Sequence, residues 1–336
     1  MSGFARKLIA WQRAHGRHGL PWQGTRDPYR IWLAEIMLQQ TQVAAVIPYY
    51  RRFLREFPTV QALARAKLDR ILRLWSGLGY YARARNLHRA ARLLMTHFNG
   101  QFPENPRHLN QLPGVGRTTA AAIAAFAFGR REAILDGNVR RVLARRFGVE
   151  EPARQWALAE KLLPRRGIEA YTQGLMDLGA TVCLRGAPRC EDCPVARACV
   201  ARREGRVDDL PARKKKKPLA QRAATWLVLI HGRQVLLERR PPRGVWGGLW
   251  CFPELHGKGV RSYCRMVLGC EISSWERLPA IEHGFTHFLL RVTPVLCRVS
   301  ARARSQGGRQ WIDLAQAAGA AVPSPVKRQL GLLGAG

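Results

Sequence analysis

Between Leu112 and Arg141 the chain alternates turn and helix in a way that leaves few folds open. Leu112-Pro113-Gly114-Val115-Gly116-Arg117-Thr118-Thr119 leads into an alanine-rich run ending at Phe128. Leu135-Asp136-Gly137-Asn138-Val139-Arg140-Arg141 follows. The pattern predicts a helix, a tight glycine turn, a second helix, and a carboxylate at the mouth of a third. Gly114 and Gly116 are free to take positive φ and to bring backbone close to a ligand. The N–H groups that open the second helix have no intrahelical partners, so they form an anion site suited to one DNA phosphate. A plain turn between antiparallel helices also explains Gly-Val-Gly. The Leu-Pro lead-in, the alanines and Leu-Asp-Gly-Asn favour the ligand-binding reading.

Charge points to the same kind of partner. The 336 residues carry a formal charge of +33 at pI ≈ 11.4. Residues 222–336 hold 16 Lys+Arg against 6 Asp+Glu, and residues 1–221 hold 40 against 17. Both halves are therefore drawn to a polyanion, and binding to nucleic acid should weaken steeply with salt. Hydrophobic residues make up 47% of the chain, enough for packed cores. No run reaches the roughly 20 apolar residues of a membrane span, and Met1–Lys7 opens no secretory signal. The expected setting is the reducing cytoplasm, with no membrane association.

Helices are expected at 4–20, 48–56, 59–65, 67–74, 81–97, 152–164 and 168–180. Asp27-Pro28 should start another, Asp as cap and Pro at its first position. That helix is read as running through Ile31 to Val43. Glu35 sits there among Leu33, Ile36, Met37 and Leu38. An exposed face would explain it. In so apolar a helix burial is also plausible, and it would raise the carboxyl pKa towards that of a neutral-pH general acid. Gln39-Gln40-Thr41-Gln42 is poor core material and suits a groove. Gly77-Leu78-Gly79-Tyr80 reads as a turn that presents Tyr80. Asp136 is expected to cap a helix, with the dipole and capping bonds lowering its pKa.

Cys183, Cys190, Cys193 and Cys199 follow, spaced C-x6-C-x2-C-x5-C. Four close thiols in a reducing compartment imply a metal site, and spacing alone leaves zinc and iron–sulfur open. A polar connector, 205–221, centres on Arg213-Lys214-Lys215-Lys216-Lys217. Beyond it the periodicity changes to strands at 226–230, 235–238, 288–292 and 295–299, with a helix at 262–268. The fold class is therefore an all-helical domain followed by a smaller α+β domain, with boundaries at 1–204, 205–221 and 222–336.

Taken together, Leu20-Pro21-Trp22, Trp32 to Val43, Gly77 to Tyr81, Leu112 to Thr118, Leu135 to Val142, the four cysteines and the second domain resemble the MutY-type adenine-specific mismatch DNA glycosylases. These belong to the endonuclease III superfamily of helix-hairpin-helix enzymes. The resemblance implies a monofunctional base-excision repair enzyme that flips out and hydrolyses adenine opposite 8-oxoguanine or guanine in double-stranded DNA. It implies a cytoplasmic bacterial monomer acting at the nucleoid, with a 4Fe–4S cluster on the cysteines of a 183–199 loop. It casts Glu35, Asp136 and Asn138 as catalytic. Trp22, Gln23, Thr118 and Gln173 would bind the base, and Leu38, Gln40, Tyr80, Leu112, Gly114 and Gly116 the DNA.

The second domain resembles a Nudix fold. Gly248, Glu254 and Gly269 fit the Nudix catalytic box, but Ser262-Tyr263 and Met266-Val267 stand where its magnesium-holding acids belong. The implied role is reading, with Phe285-Thr286-His287 matching the loop that recognises 8-oxoguanine and Thr286 replacing a serine. The bifunctional lyases of the superfamily carry a nucleophilic lysine where this chain has Thr118, and a hydroxyl forms no Schiff base. A non-catalytic lesion-binding protein is a further alternative, which the two intact acids disfavour. A Nudix hydrolase with a helical appendage is disfavoured by the missing acids.

Overall fold

The computed structural model describes residues 2–212, 218–257, 259–302 and 307–334. The core of the basic connector, 213–217, lies outside the described residues. The chain divides into two compact units, 1–65 with 86–215 and 66–85 with 216–336.

The first unit is helical. It contains α1 (Gly3–His15), α2 (Pro28–Leu38), α3 (Val43–Glu56) and α4 (Val60–Arg65). After the inserted segment, which holds α5 (Leu68–Trp75) and the start of α6 (Ala82–His97), it continues with α7 (Pro106–Leu109), α8 (Arg117–Phe128), α9 (Gly137–Phe147), α10 (Pro152–Leu162), α11 (Ile168–Asp177) and α12 (Val200–Arg203). A π-type turn, Leu178–Val182, extends α11. The core gathers Leu8, Ala122, Ala125, Leu135, Val139, Leu143, Tyr171, Leu175 and Leu178 from α1, α8, α9, α11 and their flanks. Ala120 to Ala125 are all buried, and side chains this small let α8 pack closely against its neighbours.

Two helices end earlier than periodicity suggests. α1 stops at Gly16, three residues before Gly19, because the Arg17 N–H donates to Asp177, 160 residues away. α2 stops at Leu38, where Gln39 to Gln42 form a turn rather than a continuation. At its other end Asp27 caps α2 through the Tyr29 N–H at 2.9 Å, as expected.

The second unit is built on a mixed sheet. Its strands are β1 (Ala220–His231), β2 (Gln234–Arg239), β3 (Trp250–Cys251), β4 (Glu271–Arg277), β5 (Ile281–Gly284), β6 (Phe288–Ala301) and β7 (Arg309–Asp313). The order is β3-β2-β1-β6-β4, with β5 on β6 and β7 on β2; β1 and β6 are parallel. Helices α13 (Val260–Met266), α14 (Leu314–Ala317) and α15 (Ser324–Gly334) complete the α+β architecture. Leu227, Leu229, Leu236, Cys264, Cys297, Val299 and Trp311 form its core.

The two strands expected at 288–299 are one. Pro294 falls where the partner of β6 changes from β5 (Ile281 opposite Val292) to β4 (Arg277 opposite Val295), so its missing N–H interrupts little. Residues 66–85, read from sequence within the first domain, pack here. The Trp250 indole donates to Asp69 at 3.0 Å, Ser76 to the Val322 carbonyl at 2.8 Å, and Arg85 to the Gly247 carbonyl at 2.7 Å. Among the described residues no helix is long and apolar enough to cross a membrane.

Candidate active site

A cavity of ≈ 570 Å³ opens in the helical unit beside the loop that follows α1, with walls from α2, α3 and α11. Its size is within the roughly 300–1,000 Å³ of small-molecule pockets. The wall includes Trp22, Gln23, Glu35, Leu38 and Gln173, brought together from positions 22 to 173, with Leu38, expected at the DNA, sharing the wall with the residues expected at the base. Trp22 stands edge-on to Tyr50, ring centroids 5.3 Å apart. The Gln23 amide is already engaged. It accepts from the Leu20 N–H at 3.0 Å and donates to the Arg17 carbonyl at 2.8 Å, so it shapes the loop.

Glu35 is partly exposed, as a cavity wall requires, yet its carboxyl is enclosed by protein. Burial first, and the charge of Asp136 second, push its pKa up to about 8. Asp136 is the N-cap of α9, accepting from the Val139 N–H at 2.7 Å. Its expected low pKa is not what the structure holds. Burial raises it, against the lowering by the Val139 and Asn138 N–H groups and by Arg141. Two interacting carboxyls cannot both ionise cheaply. Asp136 has three contacts that favour its charged form, whereas Glu35 is raised by both of its causes, burial and the Asp136 charge. Asn138 accepts from Arg141 at 2.9 Å and packs on Gly179, where a Cβ would lie 2.6 Å from the Asn138 Cβ. Asp136, Asn138 and Thr118 are not among the cavity-lining residues.

The glycine turn forms as read, with one change. Gly114 has φ +83°, but Gly116 has φ −89°, the extended N-cap of α8. Space beside Gly116 is open, so the glycine leaves the α8 N–H groups approachable without needing a left-handed backbone. Leu112 is buried and its carbonyl closes the turn by accepting from the Val115 N–H at 3.0 Å. The Gln39 amide donates to the Gly114 carbonyl at 3.1 Å, tying the α2–α3 turn to this one. Gln40, in that turn, is exposed with φ +57°. In the other unit Tyr80 is 47% exposed with φ +48°, between Gly79 and Tyr81. Both are residues for which a left-handed backbone is uncommon.

Phe285, Thr286 and His287 form the β5–β6 tip. Phe285 stacks on Phe288 at 4.5 Å and meets His283 edge-on at 4.7 Å, while Thr286 and His287 are exposed. Glu254 pairs with Arg240 at 2.8 Å. Met266 and Val267 are exposed on and just after α13.

Cys183, Cys190, Cys193 and Cys199 line one small cavity with Val182, Pro188, Arg145 and Arg202. Among the described residues no three His, Cys, Asp or Glu side chains converge closely enough to hold one metal ion. Four cysteines lining one small cavity are a donor set that zinc or an iron–sulfur cluster can use. Burial, then the neighbouring sulfurs, push Cys193 up to about 11 against a lowering by the Val195 N–H. A cation nearby would favour the thiolate form. Arg145 supplies one from the protein, 3.5 Å from the Cys183 sulfur.

Sequence reasoning missed Arg17, His18, Phe126, Glu169 and Met176 in the cavity wall, and Asp177 behind it. Asp177 was discoverable by the argument that singled out Glu35, since it too is a lone acid in an apolar run.

Comparison with known proteins covers both units. Residues 33–164 match the HhH-GPD superfamily of base excision DNA repair proteins, and residues 225–332 match the NUDIX domain. An adenine DNA glycosylase of Buchnera aphidicola subsp. Acyrthosiphon pisum is 33% identical over 97% of this chain and 96% of its own. The human adenine DNA glycosylase is 33% identical over 86% of this chain and 66% of its own. Among solved structures, a thermostable thymine-DNA glycosylase superposes with TM-score 0.57 at 31% identity, over 60% of this chain and 95% of that one. An endonuclease III–DNA complex, 22% identical, shares the helical fold with TM-score 0.53 over 60% of this chain and 96% of that one.

Proposed function

The chain belongs to the adenine DNA glycosylases, and from that premise we propose that it excises adenine paired with 8-oxoguanine or guanine in duplex DNA, by hydrolysis and without lyase chemistry. The observation that carries this reading is a cavity wall holding a carboxyl pushed up to about 8 beside a second, capped carboxylate. Adenine is a poor leaving group and must leave the stack, at a cost of a few kcal/mol. Gln40 and Tyr80 are suited to fill the gap, because each is an exposed side chain on a turn. The outward N–H groups of α8, with Gly114 and Gly116, take a phosphate. Trp22, Gln23 and Gln173 receive the base from the cavity wall, Leu38 stands at the cavity rim beside the Gln40 turn, and Thr118 remains part of the proposed base-binding set on α8.

Glu35 transfers its proton to adenine N7. The electron pair of the glycosidic bond leaves with the base, and an oxocarbenium-like sugar remains. The Asp136 carboxylate stabilises that cation, and Asn138 holds the start of α9 in place. Water then adds its oxygen to C1′, and the released proton restores Glu35. The division of labour is that of two carboxyls with separated pKa values around one glycosidic bond. Thr118 offers no amine for a Schiff base, which favours hydrolysis alone.

Cys183, Cys190, Cys193 and Cys199 would hold a 4Fe–4S cluster. Bound there, it supplies a rigid crosslink that fixes a loop rich in arginine. In the second unit, Phe285, Thr286 and His287 present an aromatic-backed hydroxyl and imidazole suited to reading 8-oxoguanine. The Arg240–Glu254 pair and the side chains of Ser262, Tyr263, Met266 and Val267 provide no cluster of acids for magnesium. We place the enzyme as a monomer in the bacterial cytoplasm, at the nucleoid.

The test is incubation with a duplex carrying adenine opposite 8-oxoguanine or guanine, followed by alkali. Strand cleavage at the adenine is expected, lost in Glu35→Gln, with no covalent capture under borohydride. Efficient trapping, or no cleavage by the wild-type chain, would overturn the proposal.

A further inference from the structure

Asp177 ends α11 with its side chain wholly buried. It accepts from the Arg17 Nε at 2.7 Å and from the Arg17 N–H at 3.0 Å. It also accepts from the Gln173 Nε2 at 2.8 Å, one helical turn back on the same face. Arg17 is fixed from the other side, because its carbonyl accepts the Gln23 amide. Gln173 and Arg17 both line the cavity, whereas Asp177 does not.

We infer that Asp177 is a positioning residue that sets which edge of a base the cavity accepts. The inference rests on the adenine reading above and deepens it. Left alone, an amide can turn over and offer either an acceptor or a donor to a ligand. A carboxylate paired to a guanidinium can only accept, so the Gln173 NH2 must face Asp177 and its Oε1 must be the atom left for the ligand. An acceptor there matches a purine edge that donates, as the exocyclic amine of adenine does. It opposes an edge with a carbonyl in that place, as in hypoxanthine. A polar site built for one hydrogen-bonding sense discriminates strongly, because the wrong partner leaves buried groups unpaired.

The experiment measures single-turnover base release from two duplexes that differ only in adenine or hypoxanthine at one position. In Asp177→Asn, the new amide can keep its oxygen on Arg17 and turn its NH2 to Gln173, which then presents its own NH2 to the base. The ratio of adenine to hypoxanthine release is expected to fall at least about tenfold. In Asp177→Asn with Gln173→Glu, residue 173 can again only accept, and the ratio should return towards wild type. A purely structural role would slow both bases equally, and that outcome overturns the inference. Should Asp177→Asn not fold, Gln173→Met carries the test: without the amide the ratio must fall likewise, and an unchanged ratio refutes the idea. Wild-type protein that releases no base from either duplex defeats the enzymatic reading and this one with it. Release with unaltered selectivity in Asp177→Asn defeats this inference alone.

Discussion

Glu35→Gln should abolish base release and make the protein more stable at neutral pH. The carboxyl has a pKa of about 8 in the fold, against an ordinary 4.5. A carboxyl whose pKa is raised by folding favours the native state only while both states are protonated. Between about pH 4.5 and 8 the unfolded chain releases this proton and the folded one keeps it, so stability falls as pH rises through that window. At pH 7 the cost is the pKa separation up to that pH, at about 1.36 kcal/mol per unit, or a little over about 3 kcal/mol. Glutamine keeps the shape and cannot ionise, so it escapes this cost. Relative to wild type, the gain should be under about 0.5 kcal/mol at pH 4.5 and about 3 kcal/mol at pH 7. For a helical unit of this size that is a rise of very roughly 6–12 °C in the neutral-pH melting temperature. Urea unfolding of both proteins across this range, followed by helical circular dichroism, measures it. A difference between the two that does not change with pH would show that Glu35 is not held protonated, and the mechanism would lose its acid.

The same carboxyl predicts the pH dependence of catalysis. Single-turnover release should decline above about pH 8 as Glu35 loses its proton, and on the acid side as Asp136 gains one at a pH above the ordinary carboxylate range; a rate still climbing at about pH 9 contradicts this. Gly179→Ala places a Cβ 2.6 Å from the Asn138 Cβ and 3.1 Å from its backbone. It should cost about 1–3 kcal/mol by overpacking and slow base release, whereas a neutral effect on urea unfolding would mean the α9 start is soft. Cys193→Ser should abolish visible absorption and iron content in purified protein; retention of both would remove the cysteine set from the proposal.

Much of the architecture was legible because its signals are local. Asp27-Pro28 and Asp136-Gly137 announced their helix starts through capping chemistry, which needs only adjacent residues. Strand periodicity marked the second unit for the same reason. The largest differences involve distant partners. α1 ends at Gly16 because Asp177 reaches Arg17, a pairing that no window on the sequence contains. Residues 66–85 pack with the sheet through Asp69, Ser76 and Arg85, whose partners lie over 160 positions onward. Asp136 was read correctly as a cap, but the direction of its pKa depended on how much protein surrounds it. The burial of Glu35 is legible because its apolar neighbours are contiguous in sequence, whereas the partners that fix Asp177 are not.

Gln40 and Tyr80 sit in backbone wells that favour glycine, each at a cost of order 1 kcal/mol or more. A laboratory selection scored on heat tolerance alone would therefore favour glycine or asparagine at both positions and count the exchange as an improvement. If these two side chains enter the duplex as proposed, that hardier protein would arrive blunt, with nothing to wedge between bases. Engineers who want a hardier version of this chain should exempt these two turns and seek their gains elsewhere.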